Sequence, residues 1–532
     1  MRPFNLNWKV FFYYRIFESM NIESIRQPFI KNFSGDFSGN PMQRATLKVL
    51  FSTINPAGFD HPKLIAFNEK LSEEIGLGKF NEQDLDFLVG NNLPENVQPY
   101  ATAYAGHQFG NWAGQLGDGR AILAGEIMNN AGEKTEIQWK GAGATPYSRH
   151  ADGRAVLRSS VREYLMSEAM FHLKVPTTRA LSLCFTGEDI IRDMMYDGNP
   201  GYEQGAVIIR TAESFLRFGH FELISAQREY KMLQDLVDFT IQNYFPEITS
   251  SGTDRYKDFF KNVCTRTADL MTEWFRVGFV HGVMNTDNMS VLGLTIDYGP
   301  YSMMDEYDLN FTPNTTDLPG RRYAFGKQGQ ISQWNLWQLA NALHPLIKDE
   351  KFLEDTLNSF GNYFWENHDK MLCRKFGFDQ LQETDEEFFS NWQALMQELQ
   401  LDHTLFFHQL EKLQDSTNLS SLFENVSYSI LTSDAIVKLE NFIKKYRERL
   451  SANQISQEDA LELMKKNNPK FILRNYLLFE CIEEIKEGKT KMLDKLTHAL
   501  ENPYEELYPE FSKRRPSGYD DISGCSMLSC SS

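Results

Sequence analysis

The stretch Val280-His281-Gly282-Val283-Met284-Asn285-Thr286-Asp287-Asn288-Met289, continued by Ser290-Val291-Leu292-Gly293-Leu294-Thr295-Ile296-Asp297-Tyr298-Gly299-Pro300, decides how this chain is read. A polar loop carries an imidazole, two amides and a carboxylate. A short apolar hairpin is expected next, and an Asp-aromatic-Gly turn closes the stretch. A loop of this composition suits proton transfer beside a hard cation. A carboxylate can orient or deprotonate a hydroxyl, and amide and carboxylate oxygens are the ligands Mg²⁺ takes together with phosphate. Asp287 is the candidate base, and Asn288 and Asp297 are the candidate metal ligands.

Working upstream, Val207-Ile208-Ile209-Arg210 starts as a strand, with Arg217 seven positions beyond Arg210. Two guanidinium groups reaching one cleft would clamp phosphate oxygens with more donors than a lysine offers; structural salt bridges are the other use of such a pair. Lys134 to Lys140 alternates as a strand and breaks at Gly141-Ala142-Gly143. A strand lysine that holds phosphates needs a carboxylate partner. The helix-like run Leu157 to Ala169 offers Glu163 and Glu168, and Glu163, 23 residues past Lys140, is preferred. Asp152-Gly153 reads as a turn facing the same cleft, or as a loop cap. Furthest upstream, Gly106 to Gly119 holds five glycines in fourteen positions and ends at Arg120. Such a loop permits close backbone approach, its free N–H groups can cradle phosphates, and Arg120 adds a charged donor; a glycine-rich turn between strands is the other reading. It is no Walker loop, because Gly-Lys-Ser/Thr is missing. Glycine loop, strand lysine, helix glutamate, polar loop and Asp-aromatic-Gly follow one another as in protein kinases. The polar loop departs from His-Arg-Asp, which excludes an ordinary protein kinase.

The chain has 532 residues, 54 Lys+Arg against 72 Asp+Glu and a formal net charge of −18. That balance argues against coating nucleic acid or an anionic membrane through bulk charge. No run approaches the ~18 apolar residues of a membrane-spanning helix. The aromatic cluster Val10 to Tyr14, bracketed by Lys9 and Arg15, is too short for a signal core. Six cysteines without zinc spacing point to a reducing, cytoplasmic setting.

Organisation follows composition. Residues 1–20 read as a poorly ordered extension ahead of a second start-like Met20, and residues 21–99 as an extension packing on the core, in which Pro62 to Leu71 has helical spacing. Residues 100–235 alternate strand-like and helix-like segments, residues 236–505 are helical by their three-and-four apolar spacing, and residues 506–532 form a tail with Cys525 and Cys530. The expected fold class is α+β with a smaller β-containing lobe, a large helical lobe and a ligand cleft between them.

These residues resemble the selenoprotein O family of pseudokinase-like protein adenylyltransferases. The matching stretches are Tyr104 to Gly110, Gly114 to Arg120, Gln138 to Gly143, His281 to Ser290, Thr295 to Pro300, Asn468 to Tyr476 and the terminal Cys530-Ser531-Ser532. The resemblance implies a protein-kinase-like two-lobed fold that binds ATP in a flipped orientation and transfers AMP, rather than phosphate, to Ser, Thr or Tyr hydroxyls of proteins. By the same resemblance Gly117, Gly119, Arg120, Lys140, Asp152, Gly153, Arg210, Arg217 and Asp297 bind nucleotide, Asp287 accepts the proton, and Asn288 and Asp297 hold Mg²⁺ or Mn²⁺. A monomer acting on protein substrates, with no nucleic-acid or membrane partner, is the expected working form. A kinase-type phosphotransferase and a non-catalytic nucleotide-binding scaffold are the competing readings. Cys530 stands where some members carry selenocysteine, and Phe311-Thr312-Pro313-Asn314 lacks the cysteine expected of some relatives. Cys525 is the nearby alternative partner for a redox bridge.

Overall fold

The structure, a computed structural model, describes residues 19–413 and 419–529. Of the expected extension only positions 19 and 20 fall within that range, and the tail thiol Cys530 lies outside the described residues. Met20 is already packed: its side chain is buried and its N–H donates to the Asp84 carboxylate at 3.3 Å.

Ten strands pair into one sheet. They are β1 (Gly35–Asp36), β2 (Phe51–Thr53), β3 (Lys63–Phe67), β4 (Tyr100–Gln108), β5 (Asn111–Gly117), β6 (Ala121–Met128), β7 (Lys134–Lys140), β8 (Ala155–Val156), β9 (Arg179–Arg192) and β10 (Gly201–Ala212). Their order is β1-β2-β4-β6-β7-β10-β9-β3, with β5 on β4 and β8 on β10, and every pair except β1-β2 is antiparallel. Helices α1 (Pro28–Asn32), α2 (Glu69–Glu74), α3 (Leu85–Val89) and α4 (Leu157–His172) lie among the strands. From α5 (Phe218–Ala226), α6 (Tyr230–Tyr244), α7 (Thr253–Val277), α8 (Gln328–Ile347) and α9 (Glu350–Phe376) onward the chain is helical as far as Lys491–Glu501. The ribbon β11 (Phe279–Val280) and β12 (Ser302–Met303) brackets the polar loop. The class is α+β. Among the described residues no helix is long and apolar enough to cross a membrane.

Strand β7 positions the lysine. Alternation sends Ile137 and Trp139 to one face of the sheet and Gln138 and Lys140 to the other. Trp139 packs edge-on against Phe87 of α3 and donates its indole N–H to the Phe87 carbonyl at 2.9 Å. Lys140 sits in register between Ala121 of β6 and Ile208 of β10, so the main chain of both neighbours fixes its height. Every residue of α4 from Leu157 to Met170 is buried, including Arg158, Arg162, Glu163 and Glu168. Charged groups that deep in a protein must be paired. Arg162 donates to the Tyr301 carbonyl at 2.7 Å and to Asn475 at 3.1 Å, tying α4 to the segment after Asp297.

Three local expectations are corrected. The run Pro62 to Leu71 is not one helix: Lys63–Phe67 is strand β3, paired with β9, and α2 starts only after Asn68, whose side chain accepts from Leu71 N. The cap and the sheet edge override the local spacing. Of the two readings of the glycine-rich stretch the turn between strands holds and the open phosphate loop does not, because β4 and β5 pair from Ala103↔Gly117 to Gln108↔Asn111. The segment 290–296 is no hairpin either. Ser290 bridges to Arg217 and Thr295 to Thr177, with a turn at Gly293 (φ +70°) between them, so the two arms pair with different parts of the chain.

Candidate active site

Lys140 is the hub of a buried group of charges. Its Nζ lies 2.6 Å from Glu163 Oε2 on α4 and 2.8 Å from Asp297 Oδ1. Arg210, 2 % exposed, reaches the same two carboxylates at 2.9 and 3.4 Å. It also donates to the Ile296 carbonyl at 3.1 Å and to Gln138 Oε1 at 3.2 Å. Two cations thus face two carboxylates, which lets all four stay charged out of water. Burial alone would raise the Asp297 carboxyl, but Lys140, Arg210 and Arg217 override it and hold Asp297 far below the usual carboxylate range. Burial lowers the Lys140 ammonium, against the pull of Asp297 and Glu163. Asp297 keeps one face toward space: its side chain is 26 % exposed, and both cations bind Oδ1, so no hydrogen bond among the described residues reaches Oδ2.

The polar loop is organised differently. Arg217 donates from Nη1 to the Asp287 carbonyl at 2.8 Å and lies 5.0 Å over the Tyr104 ring, while its Nε is buried without a partner among the described residues. Asp287 is 8 % exposed, its carboxylate accepts from Gln108 Nε2 at 3.2 Å, and its Oδ1 is buried without a side-chain hydrogen-bond partner among the described residues. Burial pushes its carboxyl up to about 6, against the opposing pull of Gln108 and Arg217. The approach of β4 is what covers this loop. A bulge at Gly106 breaks the β4–β5 register, and a Cβ at Gly106 would lie 2.6 Å from Asp287 Oδ1. The next residues clasp the loop, with His107 N donating to Thr286 Oγ1 at 2.7 Å and Phe109 N to Asn285 Oδ1 at 3.1 Å. Asn288 donates its amide N–H to the Val283 carbonyl at 2.9 Å, leaving the amide oxygen without a donor among the described residues. Burial lowers the His281 imidazole to about 4, so it is neutral near pH 7.

The remaining candidates fall in different surroundings. Gly117 (φ +152°) and Gly119 pass under Tyr147, where a Cβ would meet the Tyr147 ring at 2.5 Å or its carbonyl at 2.9 Å. Between them Asp118 closes the turn by accepting from Thr102 Oγ1 at 2.6 Å. The Arg120 carbonyl accepts from Gly141 N at 2.7 Å, and its charge bears on Lys140. Asp152 pairs with Arg192 at 2.7 Å on an exposed turn and caps Arg154 N at 2.9 Å, and Gly153 packs against Gly143. Arg474, in the matching stretch Asn468 to Tyr476, is buried against Asp402 at 2.9 Å and against Asp305, apart from the loop. Cys525 is a buried free thiol that burial pushes up to about 11. Beside it the tail docks on the 311–315 segment, where Thr315 N donates to the Leu528 carbonyl at 2.8 Å.

Sequence reasoning missed four contributors: Gln108 on the Asp287 carboxylate, Tyr104 under Arg217, Gln138 on Arg210, and Asn285 clasping the hairpin. Gln138 carried a usable signal, since it shares the strand face of Lys140. The other three depend on β4 and its turn meeting distant chain, with Gln108 and Phe109 meeting the loop 179 and 176 residues on and Tyr104 meeting Arg217.

Metal binding can be tested on the donor set. Asn288 Oδ1 and Asp297 Oδ2, like the more deeply buried Asp287 Oδ1, accept no hydrogen bond among the described residues. Hard oxygen donors in so small a number suit Mg²⁺, which completes its shell with phosphate and water. Among the described residues no group of three or more His, Cys, Asp or Glu could hold a metal by itself.

The model of the protein adenylyltransferase SelO family matches residues 39–501. A protein nucleotidyltransferase YdiU of Cytophaga hutchinsonii is 46 % identical over 519 residues, covering 97 % of this chain and 100 % of the relative. Proteins of the same name from Flavobacterium johnsoniae and Aromatoleum aromaticum are 45 % and 43 % identical, covering 92 % and 95 % of this chain and 95 % and 98 % of the relatives. The chain belongs to the protein adenylyltransferase SelO family and is a nucleotidyltransferase.

Proposed function

We propose that this member of the family transfers AMP from ATP to Ser, Thr or Tyr hydroxyls of proteins, in a cleft of a protein-kinase-like, two-lobed fold. The observation that carries the reading is Asp287, a buried carboxylate with one oxygen unpartnered among the described residues, linked to the ion group built on Lys140 through Arg217, whose charge bears on both Asp287 and Asp297. The Asp287 carboxylate takes the proton of the acceptor hydroxyl, whose oxygen attacks the α-phosphorus. The bond from that phosphorus to the bridging oxygen breaks, and diphosphate leaves with its electron pair.

Lys140 and Arg120 bind phosphate oxygens, with Gly117, Gly119, Asp152 and Gly153 shaping the walls of the nucleotide site. Arg217 adds positive charge beneath the loop. Arg210 acts mainly through Glu163 and Asp297, because most of its donors are engaged by protein partners. Asn288 and Asp297 would hold Mg²⁺, which when bound neutralises phosphate charge. A carboxylate whose proton affinity lies near 6 suits the base, since it is ionised at neutral pH yet basic enough to draw a hydroxyl proton in the transition state.

The test is parallel incubation with Mg²⁺ and ATP labelled at the α- or the γ-phosphate, counting label on protein. Label from the α-position alone is expected. Label from γ alone would make the chain a phosphotransferase, and ATP binding without either label would make it a scaffold.

A further inference from the structure

Beside the polar loop, between α8 and α9, lies an open groove of about 1030 Å³. The two helices run antiparallel: Gln333 Nε2 donates to the Leu357 carbonyl at 2.8 Å, and His344 lies 3.6 Å from Glu350 at the far end. The groove follows α8 from Gln330 to His344, which at ~1.5 Å per helical residue is about 20 Å. An extended peptide of about six residues covers that length.

The groove begins where the β4–β5 turn ends. Gln108 holds Asp287, and two residues later a Cβ on Gly110 would lie 3.4 Å from the Arg322 guanidinium carbon. Arg322 lies 4.6 Å over the Trp334 ring, which itself sits 5.6 Å from the His107 ring. Tyr323, the next residue, donates its hydroxyl to Asn285 of the polar loop at 2.6 Å. The same short piece of chain therefore joins the groove wall to the loop.

Three features point to an occupant. Trp337 stands 59 % exposed on the wall, and a tryptophan left in water beside an open groove is the side chain most often found anchoring a protein partner. Arg322 has Nε and Nη2 shielded from water without a hydrogen-bond partner among the described residues. Charge is divided along the length, with Arg322 and Lys327 near the loop and Glu350 and Glu354 at the far end.

We infer that this groove binds the acceptor segment of the protein substrate in extended form, with an acidic residue close to the acceptor hydroxyl on Arg322, an apolar or aromatic side chain on Trp337, and a basic residue further out. The inference rests on the transfer reaction proposed above. It adds the sequence preference of the acceptor, which the nucleotide site does not determine.

The probe is a library of ten-residue peptides with a central Ser, Thr or Tyr, incubated with α-labelled ATP. Wild type selects an acidic residue near the hydroxyl and an apolar one several positions away. Trp337→Ala loses the apolar selection, and the KM of the selected peptide rises roughly tenfold, while ATP affinity and the rate at saturating peptide stay unchanged. Arg322→Glu turns the acidic preference into a basic one. If label is transferred but Trp337→Ala keeps the wild-type selection and KM, or wild type shows no selection, the groove assignment fails and the transfer reaction stands. If wild type places α-label on neither peptide nor itself, the transfer reading fails and the groove assignment falls with it.

Discussion

The charges around Lys140 and the loop around Asp287 are both buried, but they differ in what they leave over. In the first, two cations and two carboxylates pair with one another and Gln138 and the Ile296 carbonyl take donors of Arg210, so every charge is met, although Asp297 Oδ2 and Gln138 Nε2 have no hydrogen bond among the described residues. In the second, Asp287 Oδ1, Arg217 Nε and His281 Nε2 are shielded from water and have no hydrogen-bond partner among the described residues. A satisfied ion group is rigid and holds its geometry. A loop with unmet donors and acceptors bears a standing free-energy cost that a substrate can relieve. Under the proposed roles, the first region holds the nucleotide and the second supplies the base.

Removing one member of the satisfied group should have the largest effect. Asp297→Ala leaves Lys140 and Arg210 short of a buried counter-charge, a loss of about 3–5 kcal/mol, and under the proposed roles it also removes a metal ligand. Transfer from α-labelled ATP should vanish, with a clear fall in melting temperature, and Lys140→Ala should likewise abolish transfer. Full activity in Asp297→Ala would refute the site assignment.

The unsatisfied region should respond in the opposite sense for stability. Asp287→Asn should cut the transfer rate by roughly 10²–10⁴ as the base is lost. Its folded carboxyl lies at about 6, above the ordinary 3.8. The native state therefore binds the extra proton between those values, and native stability falls as pH rises through that window. The cost is absent below about pH 4 and complete above about pH 6. Asp287→Asn should then be more stable than wild type by about 2–3 kcal/mol at pH 7 and no more stable near pH 4. Urea titrations at the two pH values measure this. Equal stability at pH 7 would mean that the two regions do not differ as described.

The same carboxyl sets the pH profile. kcat/KM should rise with pH and reach half its plateau near pH 6, as Asp287 becomes ionised. The smallest effect is assigned to Gln108→Leu. The hydrogen bond from Gln108 lowers the Asp287 carboxyl, so its loss should move the midpoint of that profile upward, with a rate loss below tenfold at pH 8. An unmoved midpoint would show that Gln108 only packs against the loop.

Much of the site could be read without coordinates. Lys140 and Glu163 could be paired because one ends an alternating strand and the other lies on a run with helical spacing, and the distance between them is 2.6 Å. What failed was local in one instance and long-range in the others. Lys63–Phe67 looked helical until the Asn68 cap and the edge of β9 decided otherwise. The glycines of Gly106 to Gly119 suggested an open phosphate loop, yet most of that backbone pairs in a hairpin, and Gly106 serves the approach to Asp287. Arg210 and Arg217 looked equivalent as two basic residues seven apart. One lies in the ion group, and the other lies under the Asp287 carbonyl.

The sequence by itself determined which residues are available for the chemistry, the strand that carries Lys140, the helix that carries Glu163 and the α+β class, because periodicity and residue type are local properties. Only the tertiary structure decided which polar atoms remain free. That depends on β4 crossing a loop some 180 residues away and on a guanidinium choosing among buried carboxylates. Hydrogen-bond satisfaction is settled by the last few ångströms of packing, and residue spacing along the chain carries no measure of it.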